Sequence, residues 1–146
     1  MIEFGVYDGK PIKWRILKND IDSVYVLSEE GLCSKKFTEH YSNDWNNSDL
    51  RKWLNGKFYS DSFNDDEKSK IIRSNDDLIT LLSKEEAEKL MFYGARFFGD
   101  NWWLRSTYQE KDGKISAWYV TEQGYIYHWH SDRNYYVRPA LKLSLN

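Results

Sequence analysis

Trp102-Trp103-Leu104-Arg105-Ser106 and, further on, Val137-Arg138-Pro139-Ala140-Leu141 bracket the part of this chain whose reading decides its fold. Both stretches read as buried strands. Between them runs a segment rich in Tyr, Trp and His, which reads as aromatic side chains displayed by the strands that hold it. Trp102 to Leu104 begins the run, Lys111-Asp112-Gly113-Lys114 is a turn, and Ile115 to Val120 follows. Glu122-Gln123-Gly124 turns the chain again before Tyr125 to Trp129. Alternation in the last stretch predicts one strand with Val137, Pro139, Leu141, Leu143 and Leu145 on one face. Pro139 has no N–H to give a ladder, so an edge or a bulge is expected there.

Upstream the periodicity changes. Ser83-Lys84-Glu85-Glu86 is a capping box, with Leu82 and Ala87 placed as the hydrophobic staple, and predicts a helix carrying Ala87, Leu90 and Met91 inward until Gly94. Leu78 to Leu82 reads as a short buried strand. Asn64 with Glu67 resembles a second helix start, leading into Lys68 to Ile72. Ser48 and Asp49 open another helix, with Leu50, Trp53, Leu54 and Phe58 at helical spacing and Asn55-Gly56 as its stop. The Asp-rich stretch from Asp61 to Asp77 reads as a solvated helical face.

At the N-terminal end, Ile12, Trp14 and Ile16 alternate with polar residues, and Val24 to Leu27 follows a polar turn, which is a hairpin signal. Ser28 to Asn47 has no steady period and reads as irregular connection. Strands at both ends with helices between them predict an α+β domain over residues 1–146.

The chain has 146 residues, enough for one domain with a real core, and a formal net charge of -2. That charge gives no bulk pull toward nucleic acid or an anionic membrane. Mean hydropathy is low at -0.79 while aromatic residues make up 17%, so large amphipathic rings carry much of the apolar surface. Cys33 is alone, which rules out an intrachain disulfide and a cysteine metal cluster and suits a cytoplasmic setting. No stretch approaches the roughly 20 apolar residues of a membrane span and no leader pattern opens the chain.

Ile12-Lys13-Trp14-Arg15, Leu50-Arg51-Lys52-Trp53-Leu54-Asn55 and Phe58-Tyr59 resemble the N-terminal half of the bacterial DUF6273 family. Leu81-Leu82-Ser83, Glu86-Ala87, Trp102 to Ser106 and Val137 to Leu141 resemble its C-terminal half. That family is similar to the C-type-lectin-like folds, which include formylglycine-generating enzymes and variable receptor proteins. The resemblance implies small twisted antiparallel sheets, two main flanking helices, paired N- and C-terminal strands, and a ligand face on the late loops. Two departures fall beside that face: Ser106-Thr107-Tyr108 stands where Ser-Pro-Gly is usual, and Tyr135-Tyr136 where a small residue precedes Val-Arg-Pro.

The candidate ligand face comprises Trp118, Tyr119, Tyr125, Tyr127, His128, Trp129, His130, Asp132, Arg133, Asn134, Tyr135 and Tyr136. Rigid rings with polar tips, mixed with oriented polar groups, are what paratope-like and sugar-binding surfaces use. The plainer reading is that one alternating set packs the sheet. His128 and His130 share a strand face near Asp132, a spacing that suits transition metals. No third ligand is identifiable, so neither metal nor cofactor is expected. Trp14, Trp53, Trp103, Arg105 and Arg138 read as structural, the arginines needing carboxylate or carbonyl partners. One cysteine cannot supply the copper-holding pair of a formylglycine-generating enzyme, and the proline-containing calcium motifs of sugar-binding lectins are missing. The expectation is a non-enzymatic module for a protein or glycan ligand. The alternatives are a divergent formylglycine-generating-enzyme-like enzyme acting on a small molecule or peptide, and a structural oligomerisation domain.

Overall fold

A computed structural model describes residues 1–40 and 43–146. Strands occupy both ends and the helices lie between them, an α+β arrangement. The strands are β1 Ile2–Tyr7, β2 Lys10–Asn19, β3 Ser23–Ser28, β4 Cys33–Lys36, β5 Ile71–Ile72, β6 Trp102–Gln109, β7 Ile115–Val120, β8 Ile126–His130, β9 Asn134–Val137 and β10 Ala140–Ser144. They form two curled sheets, ordered β1-β2-β3-β10-β5 and β4-β9-β6-β7-β8. Pairing is antiparallel throughout except where β6 meets β9 at Trp102 and Tyr136.

The predicted N-terminal hairpin forms as β2 and β3. The C-terminal strand β10 lies against β3 and β5, so its N-terminal partner is the third strand and not the first. The expected single strand from Val137 to Leu145 is two strands in different sheets. The chain leaves β9 at Val137, passes through Arg138 and Pro139, and enters β10 at Ala140. Pro139 sits in that crossing, where no ladder needs its missing N–H, and its carbonyl accepts from Ser28 N at 2.9 Å. Leu145 falls beyond β10 and is exposed.

Two cores result, because β3 and β6 are covered on both faces. Val24 and Val26 join Ile12, Trp14, Phe37, Trp103 and Leu141 in one cluster. Tyr25 and Leu27 join Leu82, Ala87, Met91, Trp102 and Ala140 in the other. Adjacent strand residues point to opposite faces, so neighbouring residues necessarily feed different cores. Ile16, expected inward with Ile12 and Trp14, is exposed; it pairs with Val26 but lies past Trp14, where the β1–β2 pairing ends.

The helices are short. α1 is Asp49–Trp53, capped by the Ser48 hydroxyl accepting from Arg51 N. Asn55-Gly56 does not stop it. The backbone widens into a π-type turn over Leu54–Phe58 and runs on as α2, Tyr59–Ser62. Such widened turns insert into otherwise α-helical runs. The Asn55 amide donates to the carbonyls of Arg51 at 3.0 Å and Ile79 at 2.8 Å, and accepts from Leu78 N and Ile79 N at 3.0 Å each. It therefore supplies by side chain the partners that Leu78 to Leu82 lack as a strand; that segment makes one bridge, Thr80 to Ala140.

α3, Asp65–Lys70, and α4, Lys84–Leu90, both begin with complete capping boxes, at Asn64/Glu67 and Ser83/Glu86. α4 ends at Leu90, ahead of Gly94, which lies inside a separate turn, α5 Tyr93–Arg96. The stretch read as irregular connection contains β4 and a 3-10 turn, Trp45–Asn47. Asp77 departs from the solvated acidic face: it is buried, pairs with Arg51 at 2.6 Å and accepts from the Trp45 indole at 2.9 Å. Among the described residues, no helix is long and apolar enough to cross a membrane.

Trp14 is fully buried and its indole donates to Phe4 O at 2.7 Å, tying β1 to the core. Trp53 is only half-buried, against Tyr7 and Phe58, under the Lys35 ammonium. Chemical denaturation should show Trp14→Ala costing about 3–5 kcal/mol and Trp53→Ala clearly less. Equal losses would contradict this difference in burial.

Candidate functional site

The aromatic segment is organised by β6, β7 and β8, with β8 at the open margin of its sheet. On β8, Tyr127 and Trp129 project to one side at 53% and 44% exposure, and Tyr125, just before the strand, is 60% exposed. Ile126, His128 and His130 project to the other side and are half-buried. Both alternating sets are bulky because each side of the sheet meets a core. The odd-numbered set lies beyond the margin of its core, so its rings reach solvent.

Cross-strand partners show where that margin falls. Tyr127 stands opposite Tyr119 and Trp129 opposite Ala117. Tyr119, read from the sequence as part of the face, is instead buried, with its ring centroid 6.2 Å from Trp103 and 4.6 Å from Tyr135. Tyr135 packs tilted against Trp103 at 4.5 Å. Tyr136 turns to the other core, against Phe98 at 5.8 Å, and lies over Gly31 so closely that a Cβ there would sit 2.7 Å from its ring. Tyr119, Tyr135 and Tyr136 thus support the sheet, and the exposed rings are Tyr125, Tyr127 and Trp129. Asp132 and Arg133 occupy the turn after β8 and Asn134 opens β9, at the Trp129 end of the row.

Four exposed rings lie outside the face expected from the sequence: Tyr108 on β6, and Phe92, Tyr93 and Phe97 beside the β7–β8 turn. Tyr93 packs on Tyr125 at 5.4 Å, and the backbone of Phe97 closes on Gly124; Tyr93, Phe97 and neighbouring Phe92 are all exposed. Arg96 donates to Gly124 O at 3.1 Å, which fixes α5 against the β7–β8 turn. The available signal was Tyr93 and Phe97 four residues apart, a spacing that sets two rings on one side of a helical turn.

The opposite side of β8 is a stacked polar cluster. His128 lies 4.4 Å from Tyr108 and 4.7 Å from Trp118, with the Lys84 ammonium 4.5 Å over Trp118. His128 Nδ1 is shielded from solvent, has no hydrogen bond, and faces Glu110 Oε1 at 3.4 Å. That oxygen accepts the Ser116 hydroxyl at 2.6 Å. A notch of about 510 Å³ opens beside it, lined by Tyr108, Glu110, Lys111, Ser116, Trp129 and His130 among others. Among the described residues, no three His, Cys, Asp or Glu side chains gather as a metal site.

The arginines of the two strand motifs are embedded in structure. Arg105 pairs with Glu86 at 2.6 Å and donates to Leu81 O at 2.6 Å. Glu86 also takes the Ser83 N–H of its capping box at 2.9 Å and the Tyr25 hydroxyl at 3.1 Å. Arg138 is buried between Trp102 and Phe98, 4.6 and 5.0 Å from their rings, and donates to Ser28 O at 3.1 Å. Burial lowers its guanidinium to about 10. Burial also pushes the Cys33 thiol up from its ordinary value, so it is a poor nucleophile at neutral pH.

Burial raises three tyrosines as well: Tyr7 to about 12, Tyr135 to about 12, and Tyr25 further. An acid raised in the folded state gives stability that is full below its unfolded value of 10.0. That stability is lost as pH climbs toward the folded value. Unfolding free energy should therefore fall above about pH 10, with these phenols ionising late in an absorbance titration. A flat stability profile from pH 9 to pH 11.5, taken as rough bounds around the ordinary tyrosine value, would contradict it.

No curated protein and no solved structure matches the chain. A family model described as a domain of unknown function matches residues 13–89 and 75–145, which together take in both strand motifs and the helices that precede them. The chain belongs to the DUF6273 family.

Proposed function

We propose that this protein is a non-enzymatic binding module that captures an extended polypeptide along the outer edge of β8. The observation that carries the reading is the alternation of exposed Tyr125, Tyr127 and Trp129 along a strand whose outer edge, among the described residues, has no partner strand. An open edge offers backbone donors and acceptors in register, and alternate side chains beside it give selectivity. Tyr and Trp provide large contact areas for little lost side-chain freedom. Tyr93 and Phe97 extend the apolar surface at one end, and Arg133 and Asn134 give it a polar border at the other.

The same reading extends to the fold. We infer a C-type-lectin-like arrangement, supported by terminal strands sharing one sheet and by late strands that hold the exposed rings in the other. The buried Tyr119 and half-buried Tyr135 act as supports that keep the β8 rings turned outward. Tyr25, Tyr7, Tyr135 and Arg138 are perturbed by burial in packed surroundings, and Tyr93 at the exposed rings is raised by its hydrogen bond with Tyr125 on open surface, which favours a binding face over an enzyme pocket.

Immobilised protein should capture members of a random-peptide display library, and Tyr127→Ala and Trp129→Ala should each weaken capture by roughly tenfold or more, as central aromatic anchors do. Thermal unfolding of both variants should stay within a few degrees of the parent. Capture of glycans on an array, with no peptide enrichment, would replace the polypeptide by a sugar chain. Unfolding of both variants, or unchanged capture by both, would overturn the face itself.

A further inference from the structure

We propose that the fold carries a second ligand site, lined by residues other than those of the β8 face, which takes a small molecule bearing a phosphate or carboxylate group. The site is a cavity of about 320 Å³ between the first sheet and α4, lined by Lys18, Tyr25, Ser74, Lys89, Leu90 and Lys142 together with acidic residues. That volume falls in the range of small-molecule pockets, roughly 300–1,000 Å³.

Strand register builds the cationic wall. Lys18 on β2 pairs with Tyr25 on β3, and Tyr25 pairs with Lys142 on β10. Directly paired residues share a face, and neighbouring strands stand about 4.8 Å apart. Two lysines therefore flank one tyrosine on the same side of the sheet. Tyr25 itself is buried and its hydroxyl is held by Glu86, so the floor between the lysines is fixed.

The charges around the cavity decide the ligand. Glu86 is already neutralised by Arg105 at 2.6 Å. Asp20 and Glu85 are the other carboxylates, against the ammoniums of Lys18, Lys89 and Lys142. Among the described residues, none of these three lysines forms an ion pair, Lys89 and Glu85 included, although Lys84 pairs with Glu88 one turn away at 3.6 Å. Three ammoniums on one cavity lining, none of them in an ion pair, supply strong donors for phosphate or carboxylate oxygens. The sheet wall carries Lys18 and Lys142 with Asp20 at its end, and the helix wall carries Glu85 beside Lys89. An anionic group therefore seats on the Lys18–Tyr25–Lys142 row, Leu90 covers the ligand's carbon skeleton, and a hydroxyl or amine at the other end meets Glu85.

The test is an amide-resolved NMR titration of the full chain with inorganic phosphate, pyrophosphate and acetate, against sodium chloride at matched ionic strength. Saturable shifts at Lys18, Tyr25, Lys89 and Lys142 with at least one of the three oxyanions, and none with chloride, are expected. The Lys18→Ala/Lys142→Ala double variant should weaken the response by roughly tenfold, the scale of one lost charge-assisted contact. Lys89→Ala, an exposed helix position, provides a second reading should the double variant lose its fold, and should weaken binding too. Lys10→Ala and Lys13→Ala, on a separate cavity, should leave binding unchanged. No saturable shift with any oxyanion, or shifts equally lowered by the Lys10 and Lys13 variants, would overturn the site.

Discussion

The structure depends on two adjacent tryptophans that must both be buried. Trp102 and Trp103 are consecutive on β6 and each is fully shielded from solvent. Consecutive strand residues point to opposite faces, so neither face of β6 can be left to water. An indole of that size removes about 150–250 Å² from solvent, at roughly 25 cal/mol per Å² of apolar area. Each ring also carries an N–H that needs a partner once buried. Trp102 donates to Arg96 O at 3.2 Å and Trp103 to Lys35 O at 2.8 Å. The pair thus ties β6 to α5 on one side and to β4 on the other.

Two-sided burial explains the rest of the architecture. A sheet packed on both faces needs a second layer each way; the first sheet lines both cores, joined by Leu50, Leu54 and Phe58 around Trp103 and by α4 and the segment around Met91 around Trp102. The crossing at Arg138 and Pro139 lets consecutive strands serve different sheets. Arg138 fills the junction with a cation stacked between Trp102 and Phe98, which offsets part of the cost of burying a guanidinium. Glu86 links three levels of structure: it completes a capping box, pairs with Arg105, and accepts from Tyr25. The same residue starts α4, fixes α4 to β6, and sets the floor of the cationic cavity.

The candidate ligand face was legible as a region, and its composition was not. Alternation places Tyr125, Tyr127 and Trp129 together on one side of a strand, which the period of two gives directly. It also places Tyr119 and Tyr135 in equally aromatic segments, and nothing in their local sequence distinguishes a ring in the core from a ring in water. Strand order makes the distinction. Tyr119 sits on β7, inside the sheet and over Trp103, whereas β8 lies at the margin. Tyr93 and Phe97 reach the same surface only because Arg96 is anchored to the β7–β8 turn.

By itself the sequence determined what depends on near neighbours in the chain. Capping boxes at Ser83 and Asn64, turns at Gly113 and Gly124, the β2–β3 hairpin and the burial of Trp14 and Trp103 follow from side-chain type and short spacing. Only the tertiary structure decided what depends on distant partners. Asn55-Gly56 reads as a stop, yet the helix continues, because the Asn55 amide finds its partners in Ile79 and Leu78. Asp77 reads as solvated, yet it is buried, because Arg51 and Trp45 arrive to satisfy it. Lys18 and Lys142 are far apart in the chain and meet across Tyr25 through pairing register alone. Hydrogen bonds and charges are met by whichever partner the fold delivers, and long-range pairing leaves no period in the sequence to read.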